Sequence, residues 1–177
     1  GSWFVVGREG GLGTVTISGG SLTKTGPVGA NSGSNISVGE GSSNVNTVTV
    51  SGTGTFTEND GEMWIGNSNG VGVLNIGTAV GAETNADATA SLTVNNWFAV
   101  GRSGASTGTV NIYDGTLTQA THNWFDISGD GGSSTGTVNV YGGTLNALQV
   151  YLGENGSGHA YLNINGGNVN ITNNSIF

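Results

Sequence analysis

Short runs of alternating hydrophobic and polar residues recur along the whole chain, and Gly-rich segments separate them. One anchor position, Gly in five units and Ser in one, returns every 25 to 35 residues along this pattern. The six units are WFVVGREGGLGTVTISGGSLT from Trp3, NISVGEGSSNVNTVTVSGTGTFT from Asn35, EMWIGNSNGVGVLNIGTAV from Glu62, WFAVGRSGASTGTVNIYDGTLT from Trp97, WFDISGDGGSSTGTVNVYGGTLN from Trp124 and QVYLGENGSGHAYLNINGGNV from Gln149. A unit of this length cannot bury a hydrophobic face alone, whereas stacked units can.

The alternation also predicts which residues form the core. Neighbouring side chains of a strand point to opposite faces, so the hydrophobic set of each run marks its inner face. In the first strand of each unit this set is Phe4/Val6, Ile36/Val38, Met63/Ile65, Phe98/Val100, Phe125/Ile127 and Val150/Leu152. In the second it is Val15/Ile17, Val48/Val50, Leu74/Ile76, Val110/Ile112, Val138/Val140 and Leu162/Ile164, and in the third Leu22, Phe56, Leu117, Leu145 and Val169. A one-residue slip would bury polar residues in every unit, so these sets predict the register.

The pattern predicts the fold class. No segment shows helical periodicity, and β-branched residues dominate the runs. We therefore predict an all-β protein: a right-handed parallel β-helix, or solenoid, of about six coils with three short strands each. We expect a single domain over 1–177, and Gly1-Ser2 resembles a cloning scar, so the domain is predicted to come from a larger secreted protein. Two excursions are expected, the loop GAETNADATASLTV from Gly81 in the third coil and ENDGE from Glu58.

The outer face of the first strands is rich in aromatic residues. Its two columns of outward positions are Trp3, Asn35, Glu62, Trp97, Trp124 and Gln149, and Val5, Ser37, Trp64, Ala99, Asp126 and Tyr151. All four tryptophans of the chain fall on this face, where Trp97 and Trp124 would lie on adjacent coils, about 5 Å apart. A cluster of exposed aromatic rings usually marks a binding surface.

We predict that this face binds a carbohydrate. Flat rings suit the apolar faces of sugars, and a few polar groups at the edge orient the ligand through its hydroxyls. The predicted binding residues are Trp64, Trp97, Trp124, Tyr151, Asp126, Glu62 and Gln149. Asn96 and Asn123 would add further hydrogen bonds. The alternative is that a loop, such as the insertion at 81–87, or a neighbouring domain covers the rings.

The outer positions of the second strands form a Thr/Asn ladder. They are Thr14/Thr16, Thr47/Thr49, Val73/Asn75, Thr109/Asn111, Thr137/Asn139 and Tyr161/Asn163. Stacked residues of this kind can hydrogen-bond along a parallel stack, which favours a structural role. An ice-binding face is the alternative, although paired threonines occur in only two of these strands. Tyr113 and Tyr141 recur at the ends of adjacent second strands, with Tyr161 nearby; we predict a structural role for them, and a second aromatic patch is the alternative.

Charge and composition exclude several functions. The formal net charge is −8, and the only basic residues are Arg8, Lys24 and Arg102. A nucleic-acid partner or an anionic membrane surface needs clustered Lys and Arg, so neither is expected. No apolar run approaches the length of a membrane span. The absence of cysteine excludes disulfides and Cys-ligated zinc.

The sequence offers little support for catalysis or for a cofactor. It contains no nucleophile motif and no phosphate-binding loop. The carboxyl pairs that a hydrolase would need are Asp126 with Asp130, or those of ENDGE from Glu58. The latter segment also has the acidic character of a calcium-binding turn without its full ligand spacing. We predict no enzymatic activity and no cofactor, with calcium as the alternative.

The recurring V-G-x-x-G…G-T-V-x-V-x-G-G-T-L resembles the Gly-rich repeats of bacterial right-handed β-helix proteins, including autotransporter-associated strand repeats. With its aromatic face, the chain resembles the β-helical carbohydrate-binding modules of secreted plant-cell-wall-degrading enzymes, family 89 in particular, which is associated with xylan. This resemblance implies extracellular or cell-surface polysaccharide binding, no catalysis, and a catalytic domain elsewhere in the parent chain. A structural or adhesin segment is the alternative function.

Overall fold

The computed structural model describes residues 3–26, 34–79, 89–121, 124–154 and 156–172. The strands within these ranges are β1 Phe4–Arg8, β2 Thr14–Ile17, β3 Ser21–Lys24, β4 Ile36–Glu40, β5 Val45–Val50, β6 Thr55–Glu58, β7 Met63–Asn67, β8 Val71–Ile76, β9 Ser91–Val94, β10 Phe98–Arg102, β11 Thr107–Ile112, β12 Thr116–Gln119, β13 Phe125–Gly129, β14 Thr135–Val140, β15 Thr144–Ala147, β16 Val150–Leu152, β17 His159–Ile164 and β18 Asn168–Ile171. The described residues include no helical segment that could span a membrane.

The strands form three parallel sheets of six strands, and each sheet takes one strand from every coil. The first sheet has the order β1-β4-β7-β10-β13-β16, and the other two have the same regular order for the second and third strands. Each strand pairs with its equivalent one coil away, so Phe98 lies opposite Met63 on one side and Phe125 on the other. This topology confirms the predicted parallel β-helix of about six coils, while its handedness stays a prediction.

The core consists of the predicted ladders. Every predicted inward residue of the four central coils is buried. The rings of Phe98 and Phe125 stack with their centroids 4.8 Å apart and their planes at 8°. In the last coil Leu152 and Ile164 point inward but remain 54% exposed, because no further described coil covers them. The hydrophobic burial that stabilises the stack is therefore concentrated in the central coils.

The bend at or near the end of each first strand depends on a left-handed backbone. Gly66 has a φ of +74°, and a Cβ at that position would lie 2.3 Å from the carbonyl oxygen of Thr107 on the next coil. Ser128 occupies the equivalent corner of the fifth coil with a φ of +60°. Its hydroxyl donates to the carbonyl oxygen of Ser134 at 3.0 Å, a contact that offsets part of the strain of a non-Gly residue in this conformation.

Two expectations about excursions need correction. Ser91–Val94 forms strand β9, with Leu92 and Val94 in the core, so the predicted loop was wrong for its last four residues. Hydrophobic alternation was present there, but a polar insertion precedes it; residues 80–88 of that insertion lie outside the described residues. The segment from Glu58 is a tight turn rather than an excursion, because the Glu58 carboxylate accepts the amides of Asp60 and Gly61 at 3.1 and 2.7 Å.

Candidate aromatic site

The strand register brings the predicted site residues onto one face, as expected. Trp64, Ala99, Asp126 and Tyr151 lie opposite one another in the first sheet and form one outward column. The second column lies immediately before the strands, where the carbonyl oxygen of Trp97 accepts the amide of Met63 and that of Trp124 accepts the amide of Phe98, both at 3.0 Å. Gln149 continues this column, since its carbonyl oxygen accepts the amide of Phe125 at 3.0 Å.

The rings differ in how much they face solvent. Trp3 and Trp124 are 46% and 41% exposed. Trp97 and Tyr151 are half-buried, and the rings of Trp124 and Tyr151 meet edge to face at 5.5 Å. Trp64, which was predicted to be part of the open surface, is only 4% exposed. The open part of the face therefore consists of four rings, and the enclosed Trp64 packs against one of them, Trp3.

Trp64 is covered by residues from two other coils. The ring of Trp3 meets it edge to face, with centroids 5.3 Å apart. The guanidinium carbon of Arg102 lies 4.1 Å from the Trp64 centroid and 5.0 Å from that of Trp97. Contacts of this kind contribute about 0.5 to 2 kcal/mol each, depending on how far they are desolvated. Arg102 thus links the two rings.

The role of Arg102 was missed in the sequence. The register places Arg8 and Arg102 three coils apart in one column of the first sheet. However, the Arg102 side chain lies over the tryptophans and forms an ion pair with Asp130 at 2.7 Å. The repeat register offered a signal, because it puts Arg102 on the coil next to Trp64.

Asp126 holds Trp97 in place rather than lining an open rim. It was predicted to meet sugar hydroxyls, yet it is only 1% exposed, and its Oδ2 accepts a short hydrogen bond from the Trp97 indole Nε1. Its Oδ1 has no hydrogen-bonding partner among the described residues. Burial raises the pKa of Asp126 to about 7, and the nearby carboxylates of Glu154 and Asp130 act in the same direction.

Glu62 plays a similar role for Trp64. Its Oε2 accepts a hydrogen bond from the Trp64 indole Nε1 at 3.1 Å. Burial raises the pKa of Glu62 above its usual value, although Arg102 and the bond from Trp64 oppose the shift. Each of these two indole N–H groups is therefore satisfied by a carboxylate of the protein, which fixes the orientation of its ring.

The remaining predicted polar groups lie close by. Gln149 is half-buried beside Trp124 in the outer column. The side chain of Asn96 is turned back onto the chain, where its Oδ1 accepts the amide of Trp97 at 2.9 Å. Asn123 lies outside the described residues, as does the insertion at 81–87 that was considered as a cover for the rings. Ligand binding by Gln149, Asn96 and Asn123 stays a prediction.

The pKa of Asp126 leads to a prediction about stability. An ordinary Asp has a pKa of 3.8, whereas folding raises that of Asp126 to about 7, so between these values the folded chain holds a proton that the unfolded chain has released. Stability should therefore fall as pH rises from about 4 to about 7. Asp126→Asn keeps an acceptor for Trp97 and removes the charge, so it should be more stable than the parent at pH 8, by about 1 to 3 kcal/mol.

Urea unfolding at pH 4 and pH 8 measures this difference. At pH 4 the parent is largely protonated at residue 126, and the two proteins should differ little. Glu58 and Glu62 also have raised pKa values, so some pH dependence of the same sign should persist in the variant. An equal pH dependence in both proteins would show that Asp126 ionises normally in the folded state.

The outer surface of the second sheet has the predicted side-chain ladder. The Nδ2 group of Asn111 donates to Asn75 Oδ1 at 2.9 Å, and Asn139 donates to Asn111 at 2.9 Å. The chain of amides continues through Asn163, which donates to Asn139 at 2.8 Å. The rings of Tyr113 and Tyr141 stack at 5.1 Å and 8°. The amides of this ladder bond to one another from coil to coil, which supports its structural interpretation.

The acidic turn from Glu58 shows no cluster suited to a metal ion. Within the described ranges, no three His, Cys, Asp or Glu side chains come together in a group that could hold one. The carboxylate of Asp60 accepts the amide of Gly26 at 3.0 Å, and Glu58 Oε1 accepts two turn amides. Backbone donors thus bond to one oxygen of Asp60 and one of Glu58, and calcium remains the alternative to the prediction of no cofactor.

Comparisons with known proteins add no relative. No protein-family model, no curated protein and no solved structure matches this chain. The description of the architecture and of the aromatic face is therefore based on the sequence and structure of this chain alone.

Proposed function

We propose that this protein is a non-catalytic carbohydrate-binding module that binds a plant cell-wall polysaccharide along its first sheet. One observation carries the proposal: Trp3, Trp97, Trp124 and Tyr151 share the outer face, and two of these rings are more than 40% exposed. A monomer rarely leaves such a cluster open without a partner. Among these rings, Trp97 is held by its hydrogen bond to Asp126 and by the Arg102 guanidinium that lies over it, so this ring is preorganised for stacking.

The charges around the rings favour a neutral polymer. Asp126, Asp130, Glu62 and Glu154 lie in or beside this face. The two cations of its described strands are already paired, since Arg102 faces Asp130 and two indole rings and Arg8 forms an ion pair with Glu9. A uronic-acid polymer would meet uncompensated negative charge here, whereas a xylan, mannan or β-glucan would not. Xylan is the ligand we favour, from the resemblance of the repeats and the aromatic face.

The rest of the proposal concerns the setting of the domain. We place it outside the cell or on the cell surface, appended to a catalytic domain of the parent chain. A catalytic role for the aromatic face itself finds little support, because the side chain of Asp126 is enclosed and serves Trp97. Release of sugar ends from a polymer by this domain alone would contradict that part of the proposal.

Trp124→Ala should weaken polysaccharide binding by about 1 to 3 kcal/mol, because it removes an open ring from the middle of a stacking surface. Trp124 is 41% exposed, so its removal should leave the fold intact. Tyr141→Ala is the matched control, since Tyr141 is 38% exposed at the second-sheet corner, away from the proposed face. Native affinity electrophoresis against xylan, mannan, β-glucan and pectin measures the retardation of each protein.

Two outcomes would count against the proposal. If Trp124→Ala and Tyr141→Ala were retarded as strongly as the parent, binding would lie on another face. If no polymer retarded the parent, the rival function, a structural or adhesin segment, would be favoured. The enclosure of Trp64 at 4% exposure supports that rival, because it shows that part of this aromatic set serves packing.

A further inference from the structure

The outer face of the third sheet carries a regular array of hydroxyl groups over its first four coils. One column contains Ser21, Thr55, Ser91 and Thr116, and the other Thr23, Thr57, Thr93 and Thr118. The array was not recognised in the sequence, because the third-coil strand β9 had been assigned to a loop. Strand pairing without a slip aligns the two columns.

These hydroxyls differ from the amides of the second sheet in having few protein partners. Thr118 Oγ1 accepts a long bond from Asn146 Nδ2 at 3.4 Å. The other seven hydroxyls form no side-chain hydrogen bond to any residue in the described ranges. The asparagine ladder of the second sheet is, by contrast, bonded from coil to coil. The third sheet therefore presents free donors and acceptors to solvent.

The array is also evenly spaced and stiff. Parallel strands lie about 4.8 Å apart, and alternate residues of a strand lie about 6.6 Å apart, which defines a rectangular grid of hydroxyls with a methyl group at each threonine. Threonine is β-branched and has few χ1 rotamers, so its hydroxyl and methyl are held in place. A rigid grid imposes its own spacing on the first layer of water with little further loss of side-chain entropy.

The chemistry of this face does not favour a stacked sugar or an ionic ligand. The outward positions of the third-sheet strands β3, β6, β9 and β12 carry no aromatic residue for stacking on a sugar. They carry no charged residue for a phosphate, an ion or a lipid headgroup either. Its repeated feature is the hydroxyl-and-methyl grid, and an extended lattice of water is the partner that this feature matches.

We propose that the outer face of the third sheet binds ice through this grid of threonine and serine side chains. The ordered water layer that the grid holds would merge with the surface of a growing crystal and slow its growth. The inference is independent of polysaccharide binding, which uses the first sheet.

Inhibition of ice recrystallisation by the full chain, followed by microscopy of a frozen sucrose solution, tests the proposal. The parent should keep crystals small, and Thr93→Lys should abolish the effect, because a long charged side chain would stand in the middle of the grid. Thr109→Lys is the matched control, since Thr109 points outward from the second sheet and forms no side-chain bond to another described residue. Thr57→Lys, one coil away, serves as a second variant if Thr93→Lys does not fold.

Each outcome decides the matter. Loss of inhibition in Thr93→Lys or Thr57→Lys with retention in Thr109→Lys supports the third-sheet face. Crystal growth unaffected by the parent, or full activity in both third-sheet variants, would overturn the proposal. Equal loss in all three variants would also overturn it, because the effect would then not belong to this face. Trp124→Ala should inhibit growth like the parent, so failure of the polysaccharide proposal would be recognised separately.

Discussion

Phe98→Ala should destabilise the protein by about 3 to 5 kcal/mol, the usual cost of truncating a buried Phe. Phe98 is fully buried and lies between Met63 and Phe125 in the first-sheet ladder. Its ring is stacked on that of Phe125, 4.8 Å away. Coils on both sides hold the backbone at its spacing, so the cavity cannot close by collapse. Urea unfolding at a fixed pH measures the loss.

Leu152→Ala is the control for Phe98→Ala, because it also removes an inward side chain of the first sheet. Leu152 lies in the last coil and is already 54% exposed, so its truncation should cost less than about 1 kcal/mol. The comparison tests whether stability is concentrated in the central coils. Equal losses for both variants would contradict that picture and would indicate that Leu152 is covered in solution.

Gly108→Ala should cost about 3 kcal/mol or more, or prevent folding, although it adds a single methyl group. A Cβ at Gly108 would lie 2.0 Å from the carbonyl oxygen of Ile65 and 2.3 Å from the amide nitrogen of Gly101. Both contacts are backbone atoms of the first sheet, which cannot move without disrupting their own ladder. Thermal unfolding and the yield of folded protein measure the effect.

Gly19→Ala provides the comparison for Gly108→Ala. Gly19 lies at an exposed corner, and its nearest contact for a Cβ would be the Thr53 hydroxyl at an ordinary 3.5 Å. This change should leave stability nearly unaltered, or raise it by up to about 1 kcal/mol, because alanine has less backbone freedom in the unfolded chain. A mild effect of Gly108→Ala would mean that the backbones of the first and second sheets can separate at Gly108 more easily than their close contact indicates.

The fold could be predicted because its signal is local and repeated. Alternation within a few residues identifies an inner face, and six repeats of it made the ladders of Phe98 and Phe125 predictable. Strand β9 was not predicted because its short hydrophobic alternation follows a long polar segment, and the polar composition of that segment favoured a loop. The hydroxyl grid of the third sheet was not predicted either, because its columns can be recognised only when the third strands of all coils, including β9, are aligned.

The candidate site was predicted in position but not in detail. The register places Trp64 and Asp126 on the outer face, yet alternation indicates direction and cannot show what lies above a residue. Trp64 is enclosed by Trp3 and Arg102, and Asp126 is enclosed while it holds Trp97. These contacts are made by long side chains from different coils. The rotamers of such side chains depend on their neighbours in space, so the local hydrophobic pattern of the sequence cannot predict them.

The pairing of each strand with its equivalent one coil away has a consequence for how the chain reaches this structure. The first coil to form gains no strand pairing until a second coil lies on it, so folding should begin with a slow closure and then proceed by addition of coils to a formed end. The sequence TGTVN occurs in both β11 and β14, and either copy offers β8 the same backbone and side-chain pattern. If β14 paired with β8 first, one coil would be skipped and β11 would have no place in the sheet. The β8–β14 pairing would then have to break before folding could continue.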